Sequence, residues 1–343
     1  MVQFRNLVFE GGGVKGIAYV GAMDVIEKKG ILKDIERIGG TSAGAINAVL
    51  VACGFSNREQ RTILSNMDFK EFMDDSVGVL RDTNRLLNRF GWHKGEFFQK
   101  WIGEHIAKKM GTKNATFQDF KDAGRPLLYL YGANLSTGFG EVYSQEHTAN
   151  MRVLDAVRTS MSLPLFFAAV RNPRDDVLVD GGLLNNYPIK LFDRKKYIKD
   201  AEKKAARKTE YYDDENGRFL TGKTANHSPY VYNKQTLGFR LDSKREIAAF
   251  RYGNVEAVNE IDGFFAYTKA LVKTALNVQE AQHLHGDDWH RTIYIDTLGV
   301  GATDFSLSDK KKQDLIKSGR QGTKDYFDWF DTAKGQKKPI NRL

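Results

Sequence analysis

Leu7-Val8-Phe9-Glu10-Gly11-Gly12-Gly13-Val14-Lys15-Gly16 reads as an apolar strand that runs into a glycine loop, and the pattern Tyr19 to Lys29 that follows reads as a helix ended by Gly30. Backbone N–H groups of such a loop converge on an anion at the helix N-terminus. A phosphate P-loop is excluded because Gly-Lys-Ser/Thr does not close the motif at Gly16. Gly11, Gly13 and Gly16 satisfy G-x-G-x-x-G, and Glu36 lies about 20 residues on, as a dinucleotide site requires. Glu36 falls within the second strand pattern, Ile35 to Ile38, whereas a ribose-binding acid belongs at that strand's carboxyl end.

That end instead reads Gly39-Gly40-Thr41-Ser42-Ala43-Gly44 before the apolar helix pattern Ala43 to Ala52. Gly40-Thr41-Ser42-Ala43-Gly44 is G-x-S-x-G between a strand and a helix, the setting of a nucleophile elbow; the plainer alternative is a helix N-terminus capped by Ser42. Two glycine turns in adjacent strand–helix units fall at one edge of one sheet, so a nucleophile at Ser42 faces an anion site.

A nucleophilic serine needs a base. His93, His105, His147, His227, His283, His285 and His290 all lack the small-residue surroundings of a tight catalytic loop, and helix-end surface positions account for His283, His285 and His290 better than metal ligation does. Asp180 ends the apolar strand Val177-Leu178-Val179 and enters Gly181-Gly182. This places a carboxylate at the edge that carries the glycine turns, and a turn aspartate bonded to its own loop is the alternative.

Outward from these motifs, strands are expected at Leu127 to Tyr131, Glu141 to Tyr143, Thr236 to Leu241 and Thr292 to Ile295. Helices are expected around Phe97 to Ile106, after the Thr116/Asp119 capping box, at Met151 to Thr159, from Val255 to about His283, and from Ser308 to Phe330. Between Arg194 and Arg218 lie nine basic and six acidic residues with few aliphatics. Residues 193–234 read as a polar insertion or mobile loop in a single domain spanning 1–334, with 335–343 a loose tail.

The 343 residues carry 41% hydrophobic and 28% charged side chains and a net charge of +9, which excludes global disorder, collagen and a disulfide scaffold. Cys53 alone permits neither an internal disulfide nor a thiolate metal cluster. No signal-peptide pattern opens the chain, and the run Ala43 to Phe55 is too short to span a bilayer. A cytoplasmic or peripheral membrane location is therefore expected. The basic excess fits nucleic acid, an anionic membrane or a solvated surface.

In this order, Gly11-Gly12-Gly13-Val14-Lys15-Gly16, Gly40-Thr41-Ser42-Ala43-Gly44 and Asp180-Gly181-Gly182 resemble the three signatures of the patatin-like phospholipases. Arg158-Thr159-Ser160-Met161-Ser162-Leu163-Pro164-Leu165-Phe166-Phe167 and Asp180 to Pro188 resemble the segments beside that family's acyl pocket and after its aspartate. The resemblance implies an α/β protein of three-layer α/β/α architecture with a mostly parallel central sheet. It implies cleavage of acyl esters of glycerophospholipids, as a phospholipase A or lysophospholipase, without metal or other cofactor.

By position, Ser42 is then the nucleophile, Asp180 the base, and Gly11, Gly12 and Gly13 the oxyanion donors. Lys15 and Gly16 support the loop, Gly40 and Gly44 shape the elbow, and Gly181 and Gly182 shape the aspartate turn. Met161, Leu163, Leu165, Phe166 and Phe167 are acyl-pocket candidates, with a buried core segment as the alternative for each. The expected partners are phospholipid substrate and a membrane surface, with no nucleic acid. An acyltransferase using the same acyl-enzyme, or a basic binding module without catalysis, are the competing readings.

Overall fold

Every residue of Asn6–Phe9 (β1) is buried, as a strand covered on both faces and flanked by neighbours must be. The computed structural model describes residues 3–74, 86, 88–243, 261, 267, 270, 271, 274 and 286–333. After β1 the chain forms β2 (Arg37–Thr41), β3 (Gly91–His93), β4 (Leu127–Asn134), β5 (Phe139–Ser144), β6 (Leu165–Phe167), β7 (Val170–Arg171) and β8 (Val177–Asp180). Then come β9 (Ala206–Arg207), β10 (Tyr232–Asn233), β11 (Thr236–Asp242) and β12 (Thr292–Asp296).

The central sheet has the order β12-β11-β1-β2-β4-β8-β7, with β5 on β4. From β12 to β4 all pairings are parallel, whereas β8, β7 and β5 are antiparallel to their neighbours. The mostly parallel sheet with helices on both sides is thus the observed architecture. Strands β11 and β12, far along the chain, pair directly beside β1 and complete the same sheet.

Alternation along β1 divides the core. Leu7 and Phe9 join the main cluster with helices α1 (Ala18–Lys28), α2 (Ala43–Ala52) and Asp309–Ala333, while Val8 faces a second cluster with Tyr129, Ile189, Phe192 and Tyr197. Part of the 193–234 stretch, expected as a polar insertion or mobile loop, packs on the fold, Tyr197 joining that second cluster. Tyr197 packs edge-on against Tyr129 and Phe192, and Arg37 stands 5.0 Å from its ring. The stretch also contains β9 paired with β10 and the helix Glu210–Phe219.

A buried ionic knot anchors it. Arg291 grips both Asp193 carboxylate oxygens at 2.5 and 2.6 Å and also bonds Asp288, while Asp193 accepts from the Tyr212 hydroxyl and the Asn233 N–H. Polar composition concealed this segment because its internal partners are charges and tyrosines rather than aliphatics.

Several boundaries move. The Thr116/Asp119 capping box forms as expected, but the helix expected from Met151 starts at Val153. β4 continues to Asn134, three residues past Tyr131. Most of 255–283 and everything after Lys334 lie outside the described residues, so the expected long helix and the loose tail lie there too. Among the described residues no helix is long and apolar enough to cross a membrane.

Candidate active site

The carboxyl ends of β1 and β2 lie side by side, since Phe9 pairs with Gly40. β1 therefore delivers Gly11 to Gly16 next to the turn that β2 delivers at Ser42. Ser42 occupies the N-cap position just before α2 and adopts φ 54°, ψ −125°, a strained conformation for a residue with a Cβ. The turn is as tight as glycine allows, because a Cβ on Gly40 would stand 2.5 Å from the Gly44 backbone, and one on Gly44 would stand 2.4 Å from the Phe9 carbonyl.

Three polar contacts hold this shape. The Ser42 N–H donates to Ser160 Oγ at 3.0 Å, Ser160 Oγ donates to the Tyr131 carbonyl at 2.6 Å, and Thr41 Oγ1 donates to the Asn185 carbonyl at 3.1 Å. Ala43 and Gly44 open the helix, where N–H groups lack partners within the helix and the dipole favours negative charge.

Asp180 reaches the expected sheet edge on an antiparallel strand. β8 runs antiparallel to β4, yet Asp180 pairs with Gly132, one residue beyond the Tyr131 that pairs with Thr41. The extension of β4 makes this register available, so the carboxylate arrives level with Ser42 from above the sheet edge. Its backbone is fixed by Asp180 N–H donating to the Ser162 carbonyl at 2.9 Å, and Oδ1 accepts from Gly182 N–H at 2.7 Å.

Burial pushes the Asp180 carboxyl up to about 7, against the opposing pull of the Gly182 N–H and the Ser42 hydroxyl. The Ser42 hydroxyl thus lies near enough to favour the carboxylate, although no hydrogen bond of good geometry reaches Oδ2.

The glycine loop is pinned at both ends. Gly11 N–H donates to the Asn186 carbonyl at 3.0 Å, and Asn186 Nδ2 returns a bond to the Gly11 carbonyl at 3.3 Å. The N–H of Gly11, expected with Gly12 and Gly13 as an oxyanion donor, is therefore engaged within the fold. Neither the Gly12 nor the Gly13 N–H has a partner among the described residues. Gly13 takes φ 55°, and a Cβ there would stand 2.0 Å from the Ala302 carbonyl, which instead accepts from Val14 N–H at 3.1 Å. Lys15 Nζ donates to the Leu241 carbonyl at 3.3 Å, tying the loop to β11, and Gly16 lies against Ala43.

Met161 and Phe167 belong to the main core, so of the acyl-pocket candidates only Leu163, Leu165 and Phe166 are half-exposed. Phe166 stacks on Phe305 at 4.9 Å. Phe305, with Thr303, Leu307 and Lys311, lines an open cleft of about 520 Å³ that begins beside Ala302 and hence beside the glycine loop.

Of the described histidines, His93 packs on Phe166, His105 on Phe55 and Trp101, His147 bonds Ser144, His290 lies against Trp329, and His227 is exposed on the 193–234 stretch. His283 and His285 lie outside the described residues. Much of the basic run is also paired within the fold, Lys196 with Glu146, Lys199 with Glu36 and Lys203 with Asp200. Sequence reasoning missed Ser160, Ser162, Asn185 and Asn186, which hold the elbow, the aspartate and the loop in register. They sit inside the two quoted segments, but hydroxyl and amide side chains there carry no spacing signal of their own.

A serine on a strained strand-to-helix turn, a buried aspartate and an adjacent glycine loop thus meet at one edge of the sheet. The family model described as patatin-like phospholipase matches residues 7–193. The chain belongs to the patatin-like phospholipase family. It is 27% identical over 331 residues to the uncharacterized protein YqhO of Bacillus subtilis, covering 92% of this chain and 95% of that one. It is 22% identical over 230 residues to the probable lipid hydrolase 463L of Invertebrate iridescent virus 6, covering 67% of this chain and 76% of that one. Among solved structures it resembles VipD from Legionella pneumophila, with a TM-score of 0.56 at 15% identity, covering 95% of this chain and 67% of that one; this likeness is one of fold.

Proposed function

We propose that the chain is a serine-dependent lipid acyl hydrolase acting on fatty-acyl esters of glycerophospholipids, with Ser42 as nucleophile and Asp180 as base. The observation that carries this reading is the strained Ser42 turn set beside a buried carboxyl whose pKa burial pushes up to about 7. A carboxylate with that proton affinity is a far better base near neutral pH than an ordinary aspartate near ~3.9.

The Ser42 proton passes to Asp180 as Oγ bonds to the ester carbonyl carbon, and the carbonyl oxygen becomes an oxyanion facing the N–H groups of Gly12 and Gly13. The C–O bond to the glycerol oxygen then breaks, and Asp180 returns the proton to that oxygen. Water, giving its proton to Asp180, attacks the acyl-enzyme; the carbonyl–Oγ bond breaks, the proton returns to Ser42 and the fatty acid leaves. The cleft lined by Phe305, on which Phe166 stacks, is the route for the acyl chain.

Fatty-acid release from phosphatidylcholine vesicles by wild type, Ser42→Ala and Asp180→Asn tests this, with circular dichroism as a check of the fold. Each substitution is expected to remove release by at least about a thousandfold. Near wild-type release from a folded variant of either kind overturns the assignment.

A further inference from the structure

The carboxyl edge of the sheet carries a second feature. Beyond the level of Asp180, β4 continues to Asn134 and turns through Leu135–Gly138 into β5, where Phe139 pairs with Asn134. Leu135 N–H donates to the Val177 carbonyl at 2.8 Å, Val177 pairs with Arg171 across β8 and β7, and the Arg171 guanidinium stands 5.9 Å from the Phe90 ring. Phe139, Leu135, Arg171 and Phe90 therefore form one continuous rim. At about 3.3 Å per strand residue, Leu135 stands about 13 Å beyond Tyr131, the partner of Thr41, on the side of the sheet where Ser42 lies.

Phe139 is 73% exposed, Leu135 49% and Phe90 43%. Isolated apolar side chains on a surface are ordinary, but a row of them is not. Nor is the tip loosely held: buried Asn134 accepts from the Ser136 and Thr137 N–H groups, donates to Glu141 and Asp176, and through its carbonyl accepts from Gly138 N–H. The display is thus built into the fold, so little ordering remains to oppose docking.

The mixture of exposed apolar and guanidinium side chains points to the occupant. Arg89, Arg171 and Arg174 are exposed along the rim; Arg171 pairs with Asp175, the one exposed acid of the rim among the described residues, and Arg174 pairs with Asp176, which like Glu141 is half-buried in hydrogen bonds to Asn134. Apolar side chains interleaved with guanidinium groups fit the boundary of a bilayer, where rings and aliphatic chains enter the acyl region and arginines meet phosphate. We propose that this rim docks on a lipid bilayer and seats the sheet's carboxyl edge against it, an inference that rests on reading Ser42 and Asp180 as a lipid-cleaving pair.

The test separates docking from turnover. Ser42→Ala protein, with and without Leu135→Ser plus Phe139→Ser, is sedimented with vesicles of phosphatidylcholine and phosphatidylglycerol. The apolar pair is expected to lower partition at least about tenfold, and Arg171→Ser plus Arg174→Ser to lower it on the anionic vesicles only. Phe139→Trp is expected to add blue-shifted emission when vesicles are present. With Ser42 intact, Leu135→Ser plus Phe139→Ser is expected to hydrolyse soluble p-nitrophenyl butyrate at the wild-type rate while losing activity on vesicles. Unchanged partition, together with no vesicle-induced blue shift in the Phe139→Trp variant, overturns the docking surface and leaves this rim to a protein partner. Loss of partition with no Ser42-dependent hydrolysis of the soluble ester upholds the surface and overturns the catalytic reading instead.

Discussion

Ser160 Oγ accepts the Ser42 N–H at 3.0 Å and donates to the Tyr131 carbonyl at 2.6 Å, bridging the Ser42 turn to β4. Ser160 is fully buried at the end of the helix Val153–Ser160. Ser162, two residues on, holds Asp180 through its carbonyl. One chain segment therefore sets the spacing of both residues proposed to react.

Ser160→Ala leaves the Ser42 N–H and the Tyr131 carbonyl without their shared partner. Buried groups so orphaned cost about 1–3 kcal/mol, and the strained turn is free to relax. The expected result is a kcat lower by roughly tenfold to a hundredfold with KM nearly unchanged, because misplacement of the nucleophile affects the transition state more than binding. Steady-state kinetics on a soluble ester, beside urea denaturation, would show it; an unchanged kcat would remove the positioning role.

Asp180 links activity and stability through pH. Its folded pKa of about 7 lies above the ordinary 3.8, so the fold favours the protonated form; that contribution is complete below about pH 4 and is lost as pH rises through 7. At pH 8 the ionised carboxylate costs the fold up to about 4 kcal/mol. Asp180→Asn keeps an acceptor for Gly182 N–H without the charge. It is expected to be inactive yet to gain stability over wild type as pH rises from 4 to 8, read by urea midpoints. In the wild type, kcat/KM is expected to rise with pH through an apparent pKa near 7.

Gly12 and Gly13 predict contrasting outcomes. A Cβ at Gly13 meets the Ala302 backbone at 2.0 Å on a residue with φ 55°, whereas one at Gly12 meets the end of the flexible Leu241 side chain at 2.6 Å. Gly13→Ala is expected to abolish hydrolysis, since loss of one oxyanion donor alone costs about 2.7–4 kcal/mol. Gly12→Ala is expected to retain the fold with a smaller loss of kcat. Parallel kinetics and thermal melts on the two variants check the order, which reversal would contradict.

Arg291 is fully buried between Asp193 and Asp288 and pins the 193–234 stretch to the end of the sheet. Arg291→Met leaves two buried carboxylates unpaired, and breaking such a cluster costs about 3–5 kcal/mol. A lowered melting temperature with early proteolysis between 194 and 234 is expected; unaltered protease resistance would count against the anchoring role.

The strand, loop and helix at 7–29, and the turn and helix at 39–52, were legible because apolar runs and glycine turns are local signals. The order of the three motifs likewise pointed to the fold. The direction of β8 was not legible: Val177 to Asp180 reads the same whether parallel or antiparallel, and only the pairing of Asp180 with Gly132 decides it. The engagement of Gly11 with Asn186 was hidden for a similar reason, since a backbone bond across 175 residues leaves no mark in either local pattern. The packing within 193–234 was not legible in composition, because Tyr197, Tyr212 and Asp193 bury through rings and ion pairs rather than through aliphatic periodicity.

Whether Ser42, beside Asp180, is the nucleophile is tested most directly by mass spectrometry of the folded protein after reaction with an alkyl fluorophosphonate. A single phosphonyl adduct is expected on the peptide containing Ser42, slowed at least about tenfold in Asp180→Asn and absent in Ser42→Ala. An adduct on another residue, accompanied by fatty-acid release that survives Ser42→Ala, would contradict the assignment.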